Sequence, residues 1–206
     1  AILAAAAVLA PALVAATFNR PGNEIIDHHT FTICIDGDME EGISSEAASL
    51  AGHLGLGKLI AIYDSNKIQI EGSTDLAYSD DVGERFRSYG WSVHELEINS
   101  SLERIEAALE EAKAVTDAPS MVILPSHIAY GSPNKQDTAS AHGSPLGADE
   151  IALTKEALGW PYEEPFTVPD EVRELFGSAK QRGIEAQRQR RTAPPRRHTE
   201  FRSTMV

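Results

Sequence analysis

The stretch TICIDGDMEEGISSEA, Thr32 to Ala47, drives an apolar run straight into a knot of acids around one glycine. Phe31 to Ile35 is short and β-rich without polar alternation, which predicts a strand buried on both faces, as in a parallel sheet. Asp36, Gly37 and Asp38 follow at once, and then Glu40 and Glu41. Carboxylates crowded in this way repel one another and are costly to desolvate. A positive charge, a metal ion foremost, would make the cluster tolerable. From Glu41 to Leu54, alanines and other helix formers predict a helix that stops near Gly55.

The same order recurs downstream. KLIAIYD, Lys58 to Asp64, reads as a second buried strand, and Ser79 to Tyr89 as a helix ended by Gly90. Trp91 to Leu96 reads as a third strand. Ser101 to Val115 reads as a helix with Ile105, Ala108, Leu109 and Ala112 on one face. Its start, Ser100-Ser101-Leu102-Glu103, has the form of a capping box. After Pro119, SMVILPS is the fourth strand. Strands alternating with helices at this spacing predict an α/β fold, a mostly parallel sheet with helices on both faces. Right-handed crossovers put every strand C-terminus on one edge, where ligands of open α/β sheets bind. Asp36 follows the first strand, Asp64-Ser65-Asn66 the second and His127 the fourth, so these polar groups are expected on one rim.

Ser126 to Gly147 is rich in Gly, Ser, Pro, Asn and His and has no period; a loop of that length is functional or disordered. Asp149 to Leu158 and Pro169 to Gly177 are expected helices, and the closing QRQRRTAPPRRHTEFRSTMV a disordered basic tail. The domain division that follows is residues 1–179, with a basic tail at 180–206. From Lys180 onward there are eight Lys or Arg against two Asp or Glu, +6, which leaves −19 on the other 179 residues of a chain of net charge −13. Such a balance disfavours nucleic-acid binding. The single cysteine, Cys34, excludes an internal disulfide framework and fits a reducing, cytoplasmic setting. Cys34 itself is expected to be an inert core thiol. The opening AILAAAAVLAPALVAA lacks a basic flank, is broken by Pro11 and is short for a membrane span. It reads as an amphipathic or buried helix whose beginning is cut away, ended at Arg20 and Pro21-Gly22.

Asp36 and Asn66 are thirty positions apart, one β-α-β unit, so each can sit at the mouth of a neighbouring strand. A carboxylate with an amide carbonyl is a hard-oxygen site of low charge. Mg²⁺ suits it, keeping waters and taking phosphate oxygens as further ligands. Gly37 would let a diphosphate approach the backbone, and the following helix would present N–H groups to the anion. Asn66-Lys67-Ile68-Gln69-Ile70 could lend a main-chain carbonyl, and its isoleucines could pack under an apolar ring. Taken singly, each element has a plainer reading: Asp-Gly is a common turn, and an Asp after a strand is often only a helix N-cap.

Three stretches, FNRPGNEIIDHHTF, DGDMEEGISSEAASLAGHLGLGKLIAIYDSNKIQIEG and HIAYGSPNKQDTASAHGSPLG, carry a resemblance to the transketolases. It runs from about the first residues to about Glu185. It implies the thiamine-diphosphate-binding fold and, for the intact enzyme of the pentose phosphate pathway, transfer of a two-carbon ketol unit between sugar phosphates. The cofactors implied are thiamine diphosphate and Mg²⁺. By the same resemblance, Asp36, Asn66 and the Ile68 carbonyl would hold Mg²⁺. Gly37 and Asn66 would contact the diphosphate, Ile70 would pack near the thiazolium ring, and His142 would reach cofactor and sugar. Glu41 and Glu46 match subunit-interface acids, so the partners implied are a second copy or the remaining transketolase domains; solvated acids favoured by a helix dipole are the plainer reading. His28, His29, His53 and His127 receive no catalytic role.

The chain departs from the family pattern at Ile35, where a glycine is usual. A β-branched residue there would be strained if φ were positive. The pyrimidine-binding domain and the first part of the diphosphate-binding domain have no counterpart, which implies a partial chain. Two rival readings remain: a non-catalytic dimerisation or interaction module derived from a transketolase, and a Mg²⁺-dependent phosphohydrolase with Asp36 or Asp38 as nucleophile.

Overall fold

The computed structural model describes residues 13–20, 24 and 26–192. The expectations for residues 1–12, for Pro21-Gly22 and for residues 193–206 lie outside the described residues. Residues 13–18 are helical. The chain forms two compact units, residues 1–159 and 160–206.

The first unit is built on strands β1 (Thr30–Ile35), β2 (Leu59–Ser65), β5 (Ser92–Glu95) and β6 (Ser120–Pro125), in the order β1-β2-β6-β5 and all parallel. A two-stranded hairpin, β3 (Ile68–Gln69) with β4 (Gly72–Ser73), leaves the end of β2. The helices are α1 (Asp36–Met39), α2 (Gly42–His53), α3 (Val82–Ser88), α4 (Leu102–Ala114) and α5 (Ala148–Ala157). Alternate residues of the inner strands feed separate cores on the two faces of the sheet. On one face Ala61, Tyr63 and Met121 pack with Ala48 and Ala51 of α2 and Phe86 of α3. On the other, Ile60 and Val122 pack with Ala108 and Ala112 of α4. The expected apolar face of α4 is therefore the one that is buried, and Ser101 caps its start by accepting from Arg104 N–H at 3.3 Å.

One expectation is corrected. The first strand is not buried on both faces: it is the edge of the sheet, and Phe31, Ile33 and Ile35 are 49%, 72% and 39% exposed. An apolar run without alternation does need two covered faces, but this chain supplies a cover for only one of them. The second unit contains α6 (Asp170–Thr192), which runs well past the Gly177 stop expected from the sequence and through Lys180, where the basic tail was placed. Val172, Leu175, Phe176 and Ile184 are exposed on this helix.

Close backbone contacts fix where α2 lies. A Cβ on Gly52 would sit 1.8 Å from the Tyr89 carbonyl oxygen. Trp91, two residues on, donates its indole N–H to the Ala48 carbonyl at 2.8 Å and meets the Phe86 ring edge-on at 5.1 Å. Glycine to alanine inside a helix ordinarily stabilises by ~0.5–1 kcal/mol. At Gly52 the sign is expected to reverse. Gly52→Ala should destabilise by about 1–3 kcal/mol in urea unfolding, because the clash is with backbone that cannot rotate away. A stabilised variant would contradict this packing.

Candidate functional site

The register of the parallel pairs sets the site. Ile35 lies beside Asp64, Asp64 beside Leu124, and Ser65 beside Pro125, so residues 36, 66 and 126 leave the sheet at one edge. Ser126 N–H bonds the Ser65 carbonyl at 3.2 Å, and its hydroxyl donates to Asp64.

Asp36 begins α1 and is 1% exposed. A carboxyl buried to that degree is tolerated only when its oxygens are bonded. Tyr63, buried in β2, donates its hydroxyl to Oδ1 at 2.6 Å. The N–H groups of Asn66 and Lys67 donate to Oδ2 at 3.1 and 2.9 Å. Both can do so because Lys67 takes a left-handed φ of 63°, which turns successive N–H groups to one side. Asn66 Oδ1 in turn accepts from Ile68 N–H at 3.0 Å. Asp38 accepts from Ile35 N–H at 3.0 Å. The two aspartates of the acidic cluster are thus held by protein hydrogen bonds.

The structure brings Asp36, Gly37 and Asn66 together and continues directly into the strand carrying Ile68. Ile70 follows, 70% exposed. Gly37 faces open space, with nothing within 4 Å of where a Cβ would be. Ile35 has φ −119° and ψ 175°, extended backbone that any residue adopts, so the departure there carries no backbone strain. His142 sits on the loop after β6, at the end of a short 3₁₀ turn, and its Nδ1 is buried without a hydrogen-bond partner. His127, at the end of β6, bonds both oxygens of Asp137 through Nδ1, at 3.0 and 2.8 Å, and stacks on Tyr130.

Burial first, and then the bond to Asp36, push the Tyr63 hydroxyl well above its ordinary pKa, so it remains a donor at neutral pH. Burial, reinforced by Asp38 and Asp64, pushes the Cys34 thiol up to about 12. That thiol is inert at neutral pH, as its place in the strand suggested.

A carboxyl offers about four lone-pair positions, and Asp36 uses three, which leaves one for a cation. Asn66 Oδ1 likewise keeps one. A single carboxyl, one amide oxygen and a nearby main-chain carbonyl form a hard-oxygen set that fits Mg²⁺ sharing its shell with phosphate oxygens. Among the described residues, no group of three or more His, Cys, Asp or Glu side chains is placed to hold a metal ion. Softer or more strongly anionic sites are therefore not the alternative among them. The open space beside Gly37 fits the approach of a diphosphate.

The family model described as transketolase, thiamine diphosphate binding domain, matches residues 2–199. The chain belongs to the transketolase family. It is 54% identical over 176 residues to the transketolase of Nostoc sp., covering 85% of this chain and 26% of the relative. It is 52% identical over 161 residues to the chloroplastic transketolase of Solanum tuberosum, covering 78% of this chain and 22% of the relative. Among solved structures, transketolase from Leishmania mexicana superposes with a TM-score of 0.83 at 41% identity, over 90% of this chain and 28% of that one. The Pichia stipitis transketolase in complex with sedoheptulose 7-phosphate gives 0.81 at 44%, over 89% and 28%. The chain thus spans about a quarter of the length of these relatives. Its mostly parallel sheet with helices on both faces is the thiamine-diphosphate-binding fold of these enzymes.

Two residues here escaped sequence reading. Tyr63 carried a weak signal, since a tyrosine in the aliphatic run LIAIYDS needs a partner for its hydroxyl once buried. Glu150 carried none beyond its place in the first turn of α5. It is buried and accepts from Ser132 and Asn134, whose bonds, Ser132's first, hold its carboxyl below the usual carboxylate range. Tyr63→Phe should cost about 1–2 kcal/mol in denaturant unfolding, the worth of one buried hydrogen bond, without changing the fold. An unchanged midpoint would mean that Asp36 does not depend on Tyr63.

Proposed function

We propose that this chain is the metal- and diphosphate-holding part of a transketolase, which moves a two-carbon ketol unit between sugar phosphates. The observation that carries the reading is the hydrogen bond from Asn66 N–H to the buried Asp36 carboxyl, which joins two loops thirty residues apart and leaves each side chain an acceptor position. Asp36, Asn66 and the Ile68 carbonyl would hold Mg²⁺. Gly37 and Asn66 would contact the diphosphate. The exposed Ile70 would pack against the thiazolium ring of thiamine diphosphate, which supplies the electron sink of the reaction when bound. His142 would serve cofactor and sugar, its partnerless Nδ1 giving or taking a hydrogen bond according to tautomer. The metal anchors the diphosphate and takes no part in bond cleavage. Residues 1–179 would form the diphosphate-binding part and residues 180–206 a basic appendage. The working partners would be sugar phosphates, and the single cysteine fits a reducing, cytoplasmic setting.

The protein partner would be a second copy of the chain or the remaining transketolase domains. Along α2 and its end, Ile43, Leu50 and Leu54 repeat at helical spacing and are exposed, with Glu41 and Glu46 beside them. That stripe also favours a second reading, a dimerisation module without activity of its own. Mixing with a separately expressed remainder of a transketolase separates the two: ketol transfer regained supports the enzyme, and dimers without activity support the module.

Calorimetric titration with thiamine diphosphate, with and without Mg²⁺, tests the site itself. Binding should require Mg²⁺ and disappear in Asn66→Ala. Metal-independent binding that survives the substitution would contradict it.

A further inference from the structure

Glu150 is a carboxyl buried at 8% exposure in the first turn of α5, and nothing in the proposed site uses it. Its Oε1 accepts the Ser132 hydroxyl at 2.5 Å and Asn134 N–H at 2.8 Å, and its Oε2 accepts the Asn134 amide at 2.9 Å. Ser132 is itself 2% exposed. The three donors compensate for a burial that carboxyls otherwise avoid. All of them come from the loop between β6 and α5, the loop that carries His142.

From that clamp a series of local hydrogen bonds follows the chain to the histidine. Lys135 N–H bonds Ser132 Oγ at 3.3 Å, and Gln136 N–H bonds the Ser132 carbonyl at 3.2 Å. The Thr138 hydroxyl bonds the Lys135 carbonyl at 2.8 Å. Ala141 N–H bonds the Thr138 carbonyl at 3.1 Å, and His142 N–H bonds the Ala139 carbonyl at 3.0 Å. Gly131, Gly143 and Gly147, at positive φ of 83°, 72° and 91°, bracket this run and are the points where an unclamped loop would turn freely.

We infer that Glu150 is a positioning residue for His142, holding its loop through Ser132 and Asn134 so that the imidazole is set before any ligand arrives. This rests on the proposed role of His142 in contacting cofactor and sugar. Fixing the loop in advance removes an ordering cost from binding. Glu150→Gln keeps the shape but replaces one acceptor oxygen with an NH₂ group that must face a donor.

The test is hydrogen–deuterium exchange of the full 206-residue chain without cofactor, together with the NMR ring resonances of His142, assigned with His142→Asn. Glu150→Gln should speed exchange across residues 131–142 by roughly tenfold, as expected for the loss of one charge-assisted bond, while β2 and β6 keep their protection. The His142 ring resonances should shift or broaden with it. Glu156→Gln on the same helix should change neither. Unchanged exchange in the loop, or a loosened loop with unchanged His142 resonances, would overturn the inference. If Glu150→Gln loosens the whole sheet, Asn134→Ala decides: a smaller rise confined to the same segment supports the clamp, and none overturns it. No cofactor enters these measurements, so a failure of thiamine diphosphate to bind would sink the proposed function and leave the loop result to be judged separately.

Discussion

Asp36 is the meeting point of two strand ends. The carboxyl is buried, and two of its three hydrogen bonds come from backbone N–H groups of the next crossover, at Asn66 and Lys67. The third comes from Tyr63 on the neighbouring strand. These bonds tie the end of β1 to the end of β2 and leave one carboxyl lone pair for the cation proposed above. The turn at Lys67, the hairpin after it and the position of Asn66 all follow from satisfying that carboxyl. A carboxyl already supplied with donors makes a modest cation site by itself, in keeping with a metal that completes its shell with phosphate oxygens.

The order of strands and helices was legible because each element repeats its own period: unbroken apolar runs for β2 and β6, and the 105-108-109-112 face for α4. Asp36 and Asn66 were legible as a pair because one β-α-β unit brings strand ends side by side. What escaped depends on long-range satisfaction. Tyr63 matters through Asp36, 27 residues earlier, and Glu150 through Ser132, 18 residues earlier. No local pattern announces such partners. The exposed face of β1 escaped for a different reason: a strand's composition reports how many faces are meant to be covered, and this chain covers one. Gly177 suggested a stop, yet α6 passes through it and through Gly183, since a glycine costs a helix only about 1 kcal/mol.

The exposed apolar surfaces agree with the comparisons. A chain spanning about a quarter of its relatives leaves Phe31 and Ile33 on the sheet, Ile43 and Leu50 on α2, and Leu175 and Phe176 on α6 open to water. Scattered apolar side chains are ordinary on protein surfaces, whereas runs on one strand or one helix face are the kind of surface that interfaces use. The site proposed here is therefore one wall of an active centre. In the reading proposed above, it would hold the groups that anchor a diphosphate, with His142 supplied by the loop that follows β6.

The most direct measurement is a crystal of the chain grown with Mn²⁺ and thiamine diphosphate, with the metal located by its anomalous signal. One peak is expected about 2.1–2.2 Å from an Asp36 carboxyl oxygen, Asn66 Oδ1, the Ile68 carbonyl and the diphosphate oxygens, the distances of a compact octahedral cation. A bound diphosphate whose metal lies away from Asp36 and Asn66 would contradict the site.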